Sequence, residues 1–105
     1  MSSSSHAHLF AALGDETRLR LVSRLCNSGP LSITRLTDGT NVTRQAITKH
    51  LKVMKGSGLA HCTRRGRESL WQLDQRRLRE ARRYLDTISR QWDDALLRLQ
   101  EFVEE

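Results

Sequence analysis

Eight apolar residues, Leu78, Ala81, Leu85, Ile88, Trp92, Ala95, Leu99 and Phe102, follow one another at alternating steps of three and four. That spacing keeps all eight on one side of an α-helix and would scatter them over both faces of a strand. With Asp74 as N-cap, it predicts a single helix over 75–103, about 45 Å long. Leu96 and Val103 widen the stripe. A chain of 105 residues has one modest core, too small to cover so long an apolar face. The first two turns suit the chain's own core. Beyond Ile88 the seam calls for a second subunit, so this is expected to be a dimerisation helix. The candidate interface is Leu85, Ile88, Trp92, Leu96 and Leu99, joined by Leu9, Phe10 and Leu13 from near the N-terminus.

The rest of the chain divides at its Gly, Pro and capping residues. Residues 1–6, with a Ser run, are expected to be disordered. Ala7 to Leu13 reads as a first helix, stopped by Gly14. Asp15 caps a second, with apolar positions at Leu19, Leu21, Val22, Leu25 and Cys26. It ends at Asn27-Ser28-Gly29-Pro30. Ser32 caps a short third helix carrying Ile33 and Leu36, closed by Asp38-Gly39-Thr40-Asn41. Thr43 caps a fourth, in which Ala46, Ile47, Leu51 and Met54 form the apolar stripe, and Gly56 and Gly58 end it. Two strand-like runs about Gly66 then form a hairpin over 60–73. The fold class is mainly α with one small β-hairpin, in the order α-α-α-α-β-β-α, as a single domain over 1–105 without repeat or linker.

Charge is as uneven as hydropathy. Lys and Arg number 18 against 12 Asp and Glu, a net +6. Between Thr43 and Arg67 stand Arg44, Lys49, Lys52, Lys55, Arg64, Arg65 and Arg67 without one acid, whereas the last fifteen residues are acidic. An acid-free basic stretch on a helix–turn–hairpin pattern is the footprint of a polyanion partner. The longest apolar run, Leu9 to Leu13, is far too short to span a membrane. The start MSSSSHAH lacks a secretory h-region. Cys26 and Cys62 are too few for a disulfide scaffold. A cytoplasmic protein with reduced thiols is the expectation, and the sequon Asn41-Val42-Thr43 then has no use.

The third and fourth helices with their tight turn make a helix-turn-helix, and the hairpin supplies a wing. A helix such as 43–55 fits the major groove of duplex DNA, its first residues reaching base edges. Arg44 suits guanine, Gln45 adenine, and Thr48 a base edge or thymine methyl. Lys49, Lys52 and the helix start at Ser32 suit phosphate, and Thr43, which caps the fourth helix, completes the candidate DNA-binding set. Arg64, Arg65 and Arg67 suit the backbone or a narrow minor groove. The rival reading is a winged helix that binds RNA or a protein. Readers of single-stranded RNA stack bases on aromatics, yet Phe10, Trp71, Tyr84, Trp92 and Phe102 all lie outside 43–67. No nucleophile motif is present, and Gly56-Ser57-Gly58 follows a helix instead of opening one, so an enzyme is not expected.

The stretches FAALGDETRLRLVSRL, LSITRLTDGTNVTRQAITKHLKVMKGSGLA and RRGRESLWQLD resemble the ArsR-type winged-helix repressors of bacteria, from about His8 to Leu99. The resemblance implies a homodimeric repressor, paired through its first and last helices, that leaves its inverted-repeat operator on a signal. Glu16 departs from the proline of many relatives. Metal sensing in that family uses thiolates on the third helix or His and carboxylates on the last. Here the third helix has no Cys or His and the last no His, which places the chain with members that do not sense metal. His6, His8, Cys26, His61 and Cys62 remain as candidate donors, His61 and Cys62 pointing to opposite faces of one strand. Cys26 reads as core, and His50 as packing or touching phosphate. The expectation is no metal and no cofactor, with the inducing signal and the choice of repression over activation open. A metal-responsive repressor with a non-standard Cys/His site is the remaining alternative.

Overall fold

The computed structural model describes residues 3–104, with side chains from Ser5 onward. Five helices and one hairpin follow in order: α1 Ser3–Leu13, α2 Glu16–Ser28, α3 Ile33–Thr37, α4 Arg44–Gly56, β1 Ala60–Arg65, β2 Glu68–Leu73 and α5 Gln75–Glu104. Each helix after α1 begins where a short polar side chain caps it. Asp15 accepts from the Arg18 N–H, Ser32 from Arg35, Thr43 from Ala46 and Asp74 from Arg77. The bond from the Arg18 backbone N–H, helped by the cationic Arg18 side chain and by His50, holds the Asp15 carboxyl below its ordinary value.

A single core gathers Leu9 and Ala12 of α1, Leu21 and Leu25 of α2, and Leu36 of α3. Ile47, Leu51 and Met54 of α4 join it, with Leu59, Ala60, Trp71 and Ala81. The strands pair antiparallel from Ala60↔Leu73 to Arg65↔Glu68. The two-residue loop Gly66-Arg67 needs a positive φ at its first position, and Gly66 supplies +65°, the pattern of a type II′ turn. Leu31 adds a bridge to the hairpin: its N–H donates to the Trp71 carbonyl at 3.0 Å, and its carbonyl accepts from the Trp71 N–H at 2.8 Å. The wing is thereby fixed to the segment leading into α3.

The helix expected over 75–103 runs from Gln75 to Glu104, 30 residues. Only its first turns touch the core, through Leu78 and Ala81. The remainder projects, stretching the molecule to 65 × 31 × 22 Å. No helix among the described residues is long and apolar enough to cross a membrane.

Several expectations need correction. Residues 3–6 are helical, not disordered, and α1 starts at Ser3 instead of Ala7. Serines are weak helix formers, and tertiary contacts override that weakness: Arg77 Nη2 donates to the Ser5 carbonyl at 2.8 Å, and the His6 ring lies 4.3 Å from Tyr84. Residues 1–2 lie outside the described residues. Leu9 is 0% exposed within its own chain, so it has no surface left for a second subunit. On α2 the core takes Leu21 and Leu25, one turn apart, which turns Leu19 and Cys26 outward.

Candidate nucleic-acid interface

The buried face of α4 is Ile47, Leu51 and Met54. At about 100° per residue, Gln45, Lys49 and Lys52 stand on the opposite face, while Arg44, Thr48 and Lys55 flank it. Arg44, Gln45, Lys49, Lys52 and Lys55 are exposed and Thr48 is half-buried. The Thr48 hydroxyl donates to the Arg44 carbonyl at 2.8 Å, which leaves its oxygen able to accept. Thr43 is exposed and spends its oxygen on the Ala46 N–H at 3.1 Å, whereas Ser32, half-buried, accepts from Arg35 at 3.2 Å. Both cap their helices, and their hydroxyl hydrogens remain free to donate.

On the wing, Arg64, Arg65 and Arg67 are all exposed. Arg64 stands across from Ser69 and Arg65 across from Glu68, so the two arginines leave opposite faces of the hairpin. None of the seven cations between Thr43 and Arg67 makes a salt bridge among the described residues. Their charge is uncompensated and solvated, the state that counterion release on a polyanion requires.

Other cations are spent inside the fold, and sequence reasoning missed them. Arg18 donates through Nε to the Ala12 carbonyl at 2.6 Å and through Nη1 meets His50 Nδ1 at 3.1 Å. Arg24 clamps the carbonyls of Arg35 and Leu36, each at 2.8 Å, holding the end of α3 against α2. Arg77 reaches the Ser57 carbonyl at 2.9 Å and Glu80 at 2.8 Å. These bonds satisfy helix-end carbonyls that would otherwise lack partners. His50 packs: it is turned toward Arg18 and Asp15 Oδ2, 3.7 Å away, not toward the outer face of α4.

The soft donors are dispersed. His6 leans on Tyr84, His61 meets the Gln72 amide at 3.4 Å, and Cys26 and Cys62 are exposed and free. His6 and His8 lie two apart on a helix and face different ways. Among the described residues no three His, Cys, Asp or Glu gather into a group able to hold a metal ion.

Comparison with known proteins agrees with this geometry. Residues 13–63 match a family model described as a helix-turn-helix domain. The chain is 38% identical over 85 residues to the HTH-type transcriptional regulator Rv2034 of Mycobacterium tuberculosis, covering 81% of this chain and 76% of that one. It superposes on an ArsR-like transcriptional regulator from Rhodococcus sp. RHA1 with a TM-score of 0.76 and 32% identity, over 94% of this chain and 92% of the other. The chain belongs to the ArsR-like family of helix-turn-helix transcriptional regulators. This is a regulator and not an enzyme. A homodimeric winged helix-turn-helix DNA-binding domain from Mycobacterium bovis shares the regulator's fold at a TM-score of 0.67 and 17% identity, over 82% of this chain and 80% of that one.

Proposed function

We propose that the regulator is a homodimeric repressor that binds an inverted-repeat operator in duplex DNA. The observation that carries this reading is the set of seven exposed, unpaired cations on α4 and the wing. In this reading α4 enters the major groove, Arg44 and Gln45 read guanine and adenine, and Thr48 touches a base edge. Thr43, Lys49, Lys52 and Ser32 hold phosphates, and Arg64, Arg65 and Arg67 take the backbone and minor groove. A second copy covers the outer half of α5: Leu85, Trp92, Leu96 and Leu99 are exposed, and Phe10, Leu13 and Ile88 are half-buried. A two-fold dimer presents two α4 helices, which suits half-sites about one helical turn apart. The exposed aromatics Trp92 and Phe102 lie on α5 and not on α4 or the wing, which favours duplex DNA over single-stranded RNA.

The test is competition between a fragment of the regulator's own promoter region and a random duplex. Preference for the promoter fragment is expected, and equal affinity would contradict specific regulation. Arg44→Ala and Gln45→Ala are expected to relax preference by about 1–3 kcal/mol at one base position each. Arg65→Ala is expected instead to weaken all duplexes alike.

The signal that releases DNA is read here as something other than a metal, because the donors are scattered. Titration with zinc, cadmium or arsenite is therefore expected to leave DNA affinity unchanged. About a tenfold loss of affinity with stoichiometric metal would contradict that reading.

A further inference from the structure

An open cleft of about 520 Å³ separates α3 from the turn end of the wing, lined by Ser32, Arg35, Arg44, Arg67, Glu68 and Ser69. Three guanidinium-bearing residues from three different elements converge on it. Arg35 and Arg67 are exposed, and neither their side chains nor that of Arg44 makes a salt bridge among the described residues. Glu68 is equally unpaired. The walls do not depend on a ligand for their spacing, because the paired backbone bonds between Leu31 and Trp71 tie the lead into α3 to β2. A fixed slot with several planar, multidentate cations matches an oxyanion such as a phosphodiester, whose two non-bridging oxygens can each accept from a guanidinium.

We propose that this cleft seats one backbone phosphate of duplex DNA, gripped from the helix side by Arg35 and from the wing side by Arg67. The proposal rests on the DNA-binding reading above and adds to it a residue, Arg35, that lies outside the acid-free stretch. Arg44, in the first turn of α4, borders the same slot, so the seated phosphate sets how far its guanidinium extends toward the neighbouring base edge. Glu68 opposes any anion in the slot and keeps the grip weak enough to leave sequence preference to α4. A contact to phosphate is common to every sequence, so the grip raises affinity for all duplexes.

The test is therefore made on a random-sequence duplex, with the full chain, by fluorescence anisotropy across a potassium chloride titration. Arg35→Gln and Arg67→Gln are each expected to weaken binding and to make the slope of log affinity against log salt shallower by about 1 per subunit. The double variant is expected to lose less than the product of the two single losses, because both arginines hold the same phosphate. Glu68→Gln is expected to tighten binding to random and promoter duplexes alike. All these side chains are exposed, so unchanged circular dichroism is the control for folding. Unchanged affinity and slope for Arg35→Gln, while wild type still binds DNA, would overturn the seat and leave the regulator reading standing. A wild-type chain that binds no duplex would overturn both. Calorimetric titration of inorganic phosphate into the DNA-free chain separates the remaining source. Binding that Arg35→Gln abolishes without any change in duplex affinity would assign the cleft to a free anion and contradict the proposal.

Discussion

Trp92→Glu is expected to give a folded monomer that has lost operator binding although every side chain on α4 and the wing is intact. Trp92 is 62% exposed in the single chain, so its own core does not hold it. Its neighbours along α5, Leu85, Leu96 and Leu99, are similarly bare. A second copy covering them gains roughly 1.5–3 kcal/mol for each large side chain removed from water, and two-fold symmetry counts each residue twice. A carboxylate at the same point would lose its hydration among apolar side chains. One winged helix alone contacts one half-site, and its affinity falls accordingly. Light scattering and a DNA-binding assay on one sample check both parts. A variant that stays dimeric and keeps full operator affinity would show that the seam does not join subunits.

Leu51→Ala is expected to cost about 2–5 kcal/mol of stability, a large part of the 5–15 kcal/mol that is usual for a domain. Leu51 is 0% exposed and sits midway along the α4 face that packs on the core, between Ile47 and Met54. Its truncation leaves a void under the helix assigned to the major groove. The melting temperature is expected to fall by on the order of 10–20 °C. Lys52→Ala, one residue on and exposed, is the matched control: melting unchanged, DNA binding weaker at low salt. Thermal circular dichroism decides, and a Leu51→Ala variant that melts with wild type would mean that α4 is not anchored through this face.

The long helix, the hairpin and the helix-turn-helix were all legible because each rests on a local pattern. The steps of three and four dictate α5, Gly66 dictates the turn, and Asp15, Ser32, Thr43 and Asp74 mark helix starts through bonds only three residues long. What escaped depends on partners far along the chain. Leu9, Phe10 and Leu13 look alike in a short helix, and only packing distinguishes buried Leu9 from its half-buried neighbours. On α2, Leu19, Val22 and Cys26 form one helical row and Leu21 and Leu25 another, and the fold buries Leu21 and Leu25. Arg18, Arg24 and Arg77 count as surface charge in a composition, yet each bonds to a carbonyl six or more residues away. Arg35 lies outside the acid-free stretch, and the long-range Leu31–Trp71 pairing ties the lead into its helix to the wing that carries Arg67.

The central claim is that two α4 helices, related by a two-fold axis, read duplex DNA. Hydroxyl-radical protection mapping of a genomic fragment selected by the protein tests it most directly. The account predicts two protected half-sites of inverted sequence, centred about one helical turn apart, with protection lost for Trp92→Glu. A single protected half-site, or uniform weak protection along the fragment with no preference over random DNA, would contradict it.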